Sequence, residues 1–509
     1  MFSRMHRSLA VLALGALAAC NGAAPGGSTV PLPPTNVPNS GLTQQNYVAI
    51  GDSLTAGEQS DGVLGDPSAT STVSALPGGV VPPTQENGWW ALFYQQATGK
   101  SAAGVLPLIK APGLFAQMVV STQPPGFVAT HSSCDSFNLA AYSPANWIAT
   151  RMNPSAAIAD LGVPGITMHE AVSMTGPLTG PPAPPNCGFV TIPGDPTSGG
   201  LQSLVDAESG SFYPVLGQFR TTLPAGSATQ LNAAVSLHPQ VTTVWLGAND
   251  VLKYIFSHGN SPATDSPQQF AADLTQIVTS LKASGSKVLV GNLPHILGEP
   301  GVEGPLPQFF PIAKLSFDLQ ALGVPASAAN NVQAYVQATY TGSGGFLTET
   351  GFFTVLTEIS KGLPTINLDP NGAGSGAGAL YIDTTFAAQV SGLIAAYNAA
   401  TAQVASQTGA ALVDVETMFD NFDKNGLPLA PGVTLTMQFG GGLLSYDGLH
   451  PSNTAYAALA NLFIGTADAA FGMSIPPLSN AQIGAIAQGD TYNPYVIKAV
   501  NPAWPYPLP

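Results

Sequence analysis

The stretch YVAIGDSLTAG, residues 47–57, carries a short apolar run directly into Gly-Asp-Ser. A brief apolar run closed by glycine is read as a buried strand, and Gly51, Asp52 and Ser53 are residue types that favour turns. Ser53 is therefore expected at the carboxyl end of a strand, where side chains of an open parallel sheet reach into a crevice. Alone the tripeptide decides nothing, because serine in such a place is more often a plain turn residue.

The sequence downstream gives it a context. Residues 156–161 (AAIADL), 241–250 (VTTVWLGAND), 286–294 (SKVLVGNLP) and 410–415 (AALVDV) each read as a short strand ending at small or polar residues. Between them, TDSPQQFAADLTQIVTSLKASG (264–285) reads as a helix with Asp265 or Ser266 as cap, Pro267 at its start and Gly285 as its stop. FAAQVSGLIAAYNAATAQVASQTG (386–409) and PSNTAYAALANLF (451–463) are further helices, the last opened by Pro451 and Ser452. Strands alternating with helices predict an α/β fold with a doubly wound parallel sheet. Two long interruptions, about 58–154 and 298–382, are read as insertions; the first carries one clear helix at NGWWALFYQQATG (87–99), the second the low-complexity run NGAGSGAGA (371–379). The tail beyond Gly465, ending NPAWPYPLP, is expected to be extended and wrapped.

With 509 residues the chain is long enough for one enlarged domain or two. Charged residues make up only 8% of it, and its 56 Gly and 46 Pro predict long irregular loops. A net charge of −15 with 13 Lys and Arg and no basic cluster excludes a nucleic-acid partner. At the amino terminus, MFSRMHRSLAVLALGALAAC places Arg4 and Arg7 before an apolar run over 9–19, the layout of a secretory signal (1–19) and too short to span a bilayer. Leu17-Ala18-Ala19-Cys20 resembles a bacterial lipobox, which makes Cys20 the lipid-attachment residue, 20–45 a Gly/Pro-rich linker and 46–509 the folded part. The rival reading is a simple secretory cleavage site with a chance cysteine. By resemblance to lipoprotein sorting, Asn21 favours the outer membrane as the anchoring site. Cys134 and Cys187 form an even pair in an oxidising compartment and are read as a disulfide. No CxxC or His-rich spacing points to a metal, so neither metal nor cofactor is expected. Oligomeric state is not encoded in any of these features.

A serine hydroxyl is a poor nucleophile and needs an imidazole held by a carboxylate. Position 55 is Thr, so Ser53 is not in a G-x-S-x-G elbow. His131, His169, His238, His258 and His295 lack an acid at dyad spacing, apart from Glu170 beside His169. In SYDGLHPSN (445–453), by contrast, Asp447 precedes His450 by three residues in one Gly-containing loop before the last helix. An ester's oxyanion also needs preorganised donors. DLGVPGITM (160–168) offers a backbone N–H at Gly165, and LGANDV (246–251) the Asn249 amide, both at predicted strand ends. Taken singly, each of these is as well read as a turn or capping residue.

In order along the chain, Gly51-Asp52-Ser53, Gly165, Gly247-x-Asn249-Asp250 and Asp447-x-x-His450 resemble the four blocks of the GDSL, or SGNH, hydrolase family. The resemblance implies a flavodoxin-like three-layer α/β/α fold with a five-stranded, mainly parallel sheet. It implies Ser53 as nucleophile, His450 as general base and then acid, and Asp447 as the residue that orients it. The oxyanion hole would be the Ser53 N–H, the Gly165 N–H and the Asn249 side chain, with Asp52 and Asp250 structural. The wide spacing between blocks departs from the compact family pattern. Such a set specifies a serine esterase or lipase (carboxylic ester hydrolysis), not which ester. LPLIKAPGLFAQMVV (106–120) is either core or an acyl groove. Lipid or other apolar acyl esters are the favoured substrate; a polysaccharide O-acetylesterase and a non-catalytic surface-binding lipoprotein remain alternatives.

Overall fold

A computed structural model describes residues 47–60, 62–70, 81–114, 117–122, 125–129, 147–176, 211–257, 259, 265–297, 309–321, 323–361, 366–369, 380–438, 440–500, 502 and 508. The signal, the linker and Cys20, Cys134 and Cys187 lie outside these described residues.

The apolar runs become the parallel strands β1 (Tyr47–Gly51), β2 (Val241–Trp245), β3 (Lys287–Gly291) and β4 (Ala411–Val413), hydrogen-bonded in that order. Every residue of β1 and β2 is buried, as expected of strands covered on both faces. The run at 156–161 joins the other edge of β1 less regularly than a full strand. It makes one parallel bridge, Asp160 to Ala49, with the Ala49 N–H donating to Ala159 O at 2.9 Å and Leu161 N–H to Ala49 O at 3.1 Å. Asp160 instead turns its carboxylate onto the Gly162 N–H at 2.9 Å, and Gly162 packs so closely under the chain after β1 that a Cβ would lie 2.5 Å from Ala56 N. Counting this segment second in the chain, the spatial order is 2-1-3-4-5, the flavodoxin-like arrangement with its switch point beside β1.

The helices used below are α1 (Ser53–Ala56), α2 (Trp89–Thr98), α3 (Met168–Ser173), α4 (Gln230–Ser236), α5 (Ala248–Phe256), α6 (Pro267–Ala283), α7 (Thr384–Thr408), α8 (Val415–Asn425), α9 (Asn453–Phe471) and α10 (Asn480–Gly489). α3, α4, α6 and α7 pack together on one face of the sheet, and α2 with α9 on the other, giving three layers. Helix ends follow local chemistry. Ser266 caps α6 by accepting from Gln269 N–H at 3.1 Å with Pro267 in the first turn, and α7 stops at Gly409 with φ 69°.

α2 is a core element: Trp89 stacks on Phe463 of α9 at 4.0 Å and meets Trp245 of β2 edge-on at 6.0 Å. Within 106–120, the described side chains of Leu106, Leu108, Ile109 and Leu114 are buried, which favours the core reading of that stretch. Phe309–Pro311, Phe346–Thr348 and Tyr381–Ile382 form a small antiparallel sheet. Under it lies a separate apolar cluster that includes Leu315, Val336, Leu347 and Phe352. The described part of the tail departs from expectation, because it is largely helical: α9 runs on to Phe471, and α10 and Pro494–Val500 follow, while most of NPAWPYPLP lies outside the described residues. A Ser479–Gln482 capping box opens α10, and Pro494 stands at a helix start, where proline is tolerated. Among the described residues no helix is long and apolar enough to cross a membrane.

Trp89 joins α2, β2 and α9 in a single contact set, so Trp89→Ala is expected to cost about 3–5 kcal/mol in denaturant unfolding. A loss under about 1 kcal/mol would mean that the two layers do not depend on this stack.

Candidate active site

Ser53 opens α1 directly after β1. Asp52 caps that turn, its Oδ1 accepting from Leu54 N–H at 3.0 Å. Gly51 makes the reversal possible, since a Cβ there would lie 2.0 Å from Thr55 Oγ1. Gln230 of α4 fixes the strand end from below, its Nε2 donating to Gly51 O and Leu161 O at 2.6 Å each.

The loop before α9 comes back to this point from the other end of the chain. His450 Nε2 lies 2.9 Å from Ser53 Oγ, and His450 Nδ1 lies 2.7 Å from Asp447 Oδ2. Asp447 Oδ1 accepts from Leu449 N–H at 2.8 Å, His450 N–H at 2.9 Å and Ser445 Oγ at 3.0 Å. Both the imidazole and the carboxylate are buried, while Ser53 is partly open. Such a chain of contacts can pass a hydroxyl proton to an imidazole and hold the resulting imidazolium against an anion.

Two further carboxyls lie in the same buried neighbourhood. Asp52 is pushed up to about 7 by burial, against the Leu54 N–H that would lower it. Glu58, which the sequence reading passed over, is also pushed up to about 7 by burial; His450 pulls it down and Asp447 pushes it further up. For Asp447, burial acts upward, yet His450 and its backbone donors hold it below the usual carboxylate range. For His450, burial acts downward, but Asp447, Glu58 and Asp52 prevail and lift it to about 9.

Asn249 and Gly165 are brought together by one bond: Asn249 Nδ2, in the first turn of α5, donates to Ile166 O at 3.1 Å. Gly165 itself has φ 84°, a left-handed conformation that suits glycine. The neighbouring Asp250 is buried and accepts from Met168 N–H at 3.0 Å, so it ties the same two loops. Ser53, Asn249 and His450 all face one cleft, whose other walls are apolar.

The other histidines do find acids, but from remote positions that local spacing hides. His169 Nδ1 lies 3.0 Å from Asp273 and His295 Nε2 3.2 Å from Glu416, whereas Glu170 pairs with Lys253 at 3.3 Å. Among the described residues, His169, Asp265 and Asp273 are the group whose ligand atoms lie within 4.8 Å of one another as a cation site would need. Their own hydrogen bonds already occupy them, because His169 meets Asp273 and the His169 N–H donates to Asp265 at 3.1 Å.

The family model for GDSL-like Lipase/Acylhydrolase matches residues 190–463, more than half of the 509. That span holds Asn249, Asp447 and His450 but begins after Ser53 and Gly165. Among solved structures, the chain is similar to LAE5, an alpha/beta hydrolase enzyme from the metagenome of Lake Arreo, Spain. The two are 13% identical over 84% of this chain and 94% of that one, with a TM-score of 0.31. It is also similar to the acetyl xylan esterase AlAXEase, at 14% identity over 46% of this chain and 70% of that one, with a TM-score of 0.22. No curated protein matches.

The raised groups fix a pH dependence of stability. Asp52 and Glu58 bind protons in the folded state up to about pH 7 but in the unfolded chain only up to about pH 4, so their contribution fades between those values. His450 contributes fully below its unfolded value of about 6.5, and that contribution is lost as pH rises through about 9. Tm should therefore fall from pH 5 to pH 9. Glu58→Gln should move the His450 titration, followed by NMR of its ring protons, to lower pH. A Tm that climbs over this range, or a titration that stays put, contradicts the electrostatics.

Proposed function

The chain belongs to the GDSL-like lipase/acylhydrolase family, whose chemistry is ester hydrolysis, and we propose that it works as a serine carboxylic esterase through an acyl-enzyme on Ser53. The observation that carries this reading is the continuous line from Ser53 Oγ through the His450 imidazole to Asp447, at 2.9 and 2.7 Å.

In the form of the enzyme whose His450 is neutral, Ser53 Oγ attacks the ester carbonyl carbon as its proton passes to His450 Nε2. The carbonyl π electrons move onto oxygen, and the oxyanion is met by the Ser53 and Gly165 N–H groups and by Asn249 Nδ2. One Asn249 N–H is occupied by Ile166 O, which orients the amide and leaves its second hydrogen for the substrate. Collapse of the intermediate breaks the bond to the alcohol oxygen, which leaves with the proton from His450. Water then attacks the acyl-enzyme, giving its proton to His450; the bond from the acyl carbon to Ser53 Oγ breaks, His450 returns the proton to Oγ, and the carboxylic acid leaves. Asp447 stays ionised throughout and holds the imidazole in its working tautomer.

The reading extends to placement in the cell. The signal over 1–19 and the lipobox support export with a lipid on Cys20 and anchoring in the cell envelope, at the outer membrane given Asn21. Residues 46–509 then form one hydrolase domain with two insertions, and the separate apolar cluster within 309–382 supports the second of them.

With a short chromogenic ester, Ser53→Ala should lower kcat by roughly three orders of magnitude or more, and Asn249→Ala by about 10²-fold or more. His450→Ala should cost more than Asp447→Asn. A wild type that turns over no ester, or a Ser53→Ala variant that keeps its rate, would return the chain to the surface-binding alternative. Cys20→Ser should shift the protein from the membrane to the soluble fraction of cells; retention in the membrane would remove the anchor from the proposal.

A further inference from the structure

The cleft that holds Ser53, Asn249 and His450 is walled by Leu54, Trp245, Leu252, Pro294, Ile296 and Phe419. These follow the order of the sheet: Leu54 comes after β1, Trp245 and Leu252 from the end of β2 and from α5, Pro294 and Ile296 from the loop after β3, and Phe419 from α8 after β4. The cleft therefore runs along the carboxyl edge of the sheet away from Ser53, with Phe419 on the helix that follows the strand furthest from β1 in the sheet.

Its walls are parts of the core. Trp245, Ile296 and Phe419 are only 1%, 2% and 3% exposed. Trp245 is held by its Nε1 donating to Asn292 O at 3.0 Å and by Gly291, where a Cβ would come within 2.7 Å of the indole. Such side chains cannot swing aside without breaking core packing. The cavity between these walls is small, about 30 Å³. That is room for the methyl or ethyl end of an acyl group and not for an alkyl chain.

Taking Ser53 as the nucleophile, on which this inference rests, we propose that the enzyme is selective for esters of short carboxylic acids, acetyl and propionyl, and that Phe419 is the residue that stops longer chains. The alcohol side of the ester faces the open mouth of the cleft, so selectivity there is set separately.

The test is a ladder of p-nitrophenyl acetate, butyrate and octanoate offered to the full chain and to Phe419→Ala. In the wild type kcat/KM should fall at least about tenfold from acetate to octanoate, and in Phe419→Ala the octanoate-to-acetate ratio should rise by about tenfold or more. A wild-type kcat/KM that grows with chain length overturns the proposal. A ratio unmoved in a variant with wild-type circular dichroism removes Phe419 from it. If Phe419→Ala does not fold, Ile296→Ala and Phe419→Leu must relax the ratio in its place, and an unchanged ratio in both overturns the closed-cleft argument. Absence of turnover on every ester would instead defeat the Ser53 assignment itself.

Discussion

His450 faces Ser53 because the loop that carries it is bonded, residue by residue, to the segment just after β1. The Ser60 N–H donates to Ser445 Oγ at 2.8 Å, and the Tyr446 N–H donates back to Ser60 Oγ at 3.1 Å. Beside them Gln59 Nε2 donates to Asn453 Oδ1 at 2.6 Å, and Tyr456 OH to Glu58 O at 2.9 Å. Residues nearly 400 positions apart thus share one buried seam, and both halves of the site are held to it. In a low-dielectric interior these polar bonds are strong when complete and costly when broken, which gives the loop a single seat.

The same burial explains the charge arrangement. A chain with 8% charged residues nevertheless buries Asp52, Glu58, Asp447 and His450 in one neighbourhood. Three carboxylates cannot all stay ionised there. Asp447 keeps its charge because it takes three donors and the imidazole, whereas Asp52 and Glu58, with fewer donors, hold protons to about 7. Donor number, more than distance along the chain, decides which acid serves as the counter-ion.

Much of this was legible in the chain because it is written locally. A run such as VTTVW can only be a covered strand, a Ser-Pro pair starts a helix, and Asp447-x-x-His450 places two groups on one turn. What escaped reading is built from remote partners. Glu58 is one acid among 28 in the sequence and gains meaning only when α1 turns it under His450. Gln230, Asp273 and Glu416 meet their partners across tens of residues or more. The run at 156–161 reads as a strand because period and apolarity do not register that Asp160 caps its own chain. The tail differs for a related reason: proline suggests extension, but Pro494 stands at a helix start.

That tail also buttresses the segments that bring Ser53 and His450 together. Asp490 accepts from the Thr454 N–H and hydroxyl at 2.9 and 2.6 Å, and Tyr492 takes the Ser60 hydroxyl at 3.1 Å. Synthesis proceeds from the other terminus, so Ser53 is made first and His450 and its braces among the last. While the polypeptide is still emerging from the ribosome, the Ser53 hydroxyl has no imidazole to meet. The line from Ser53 through His450 to Asp447 therefore closes only when the final turns arrive, a delay built into connectivity.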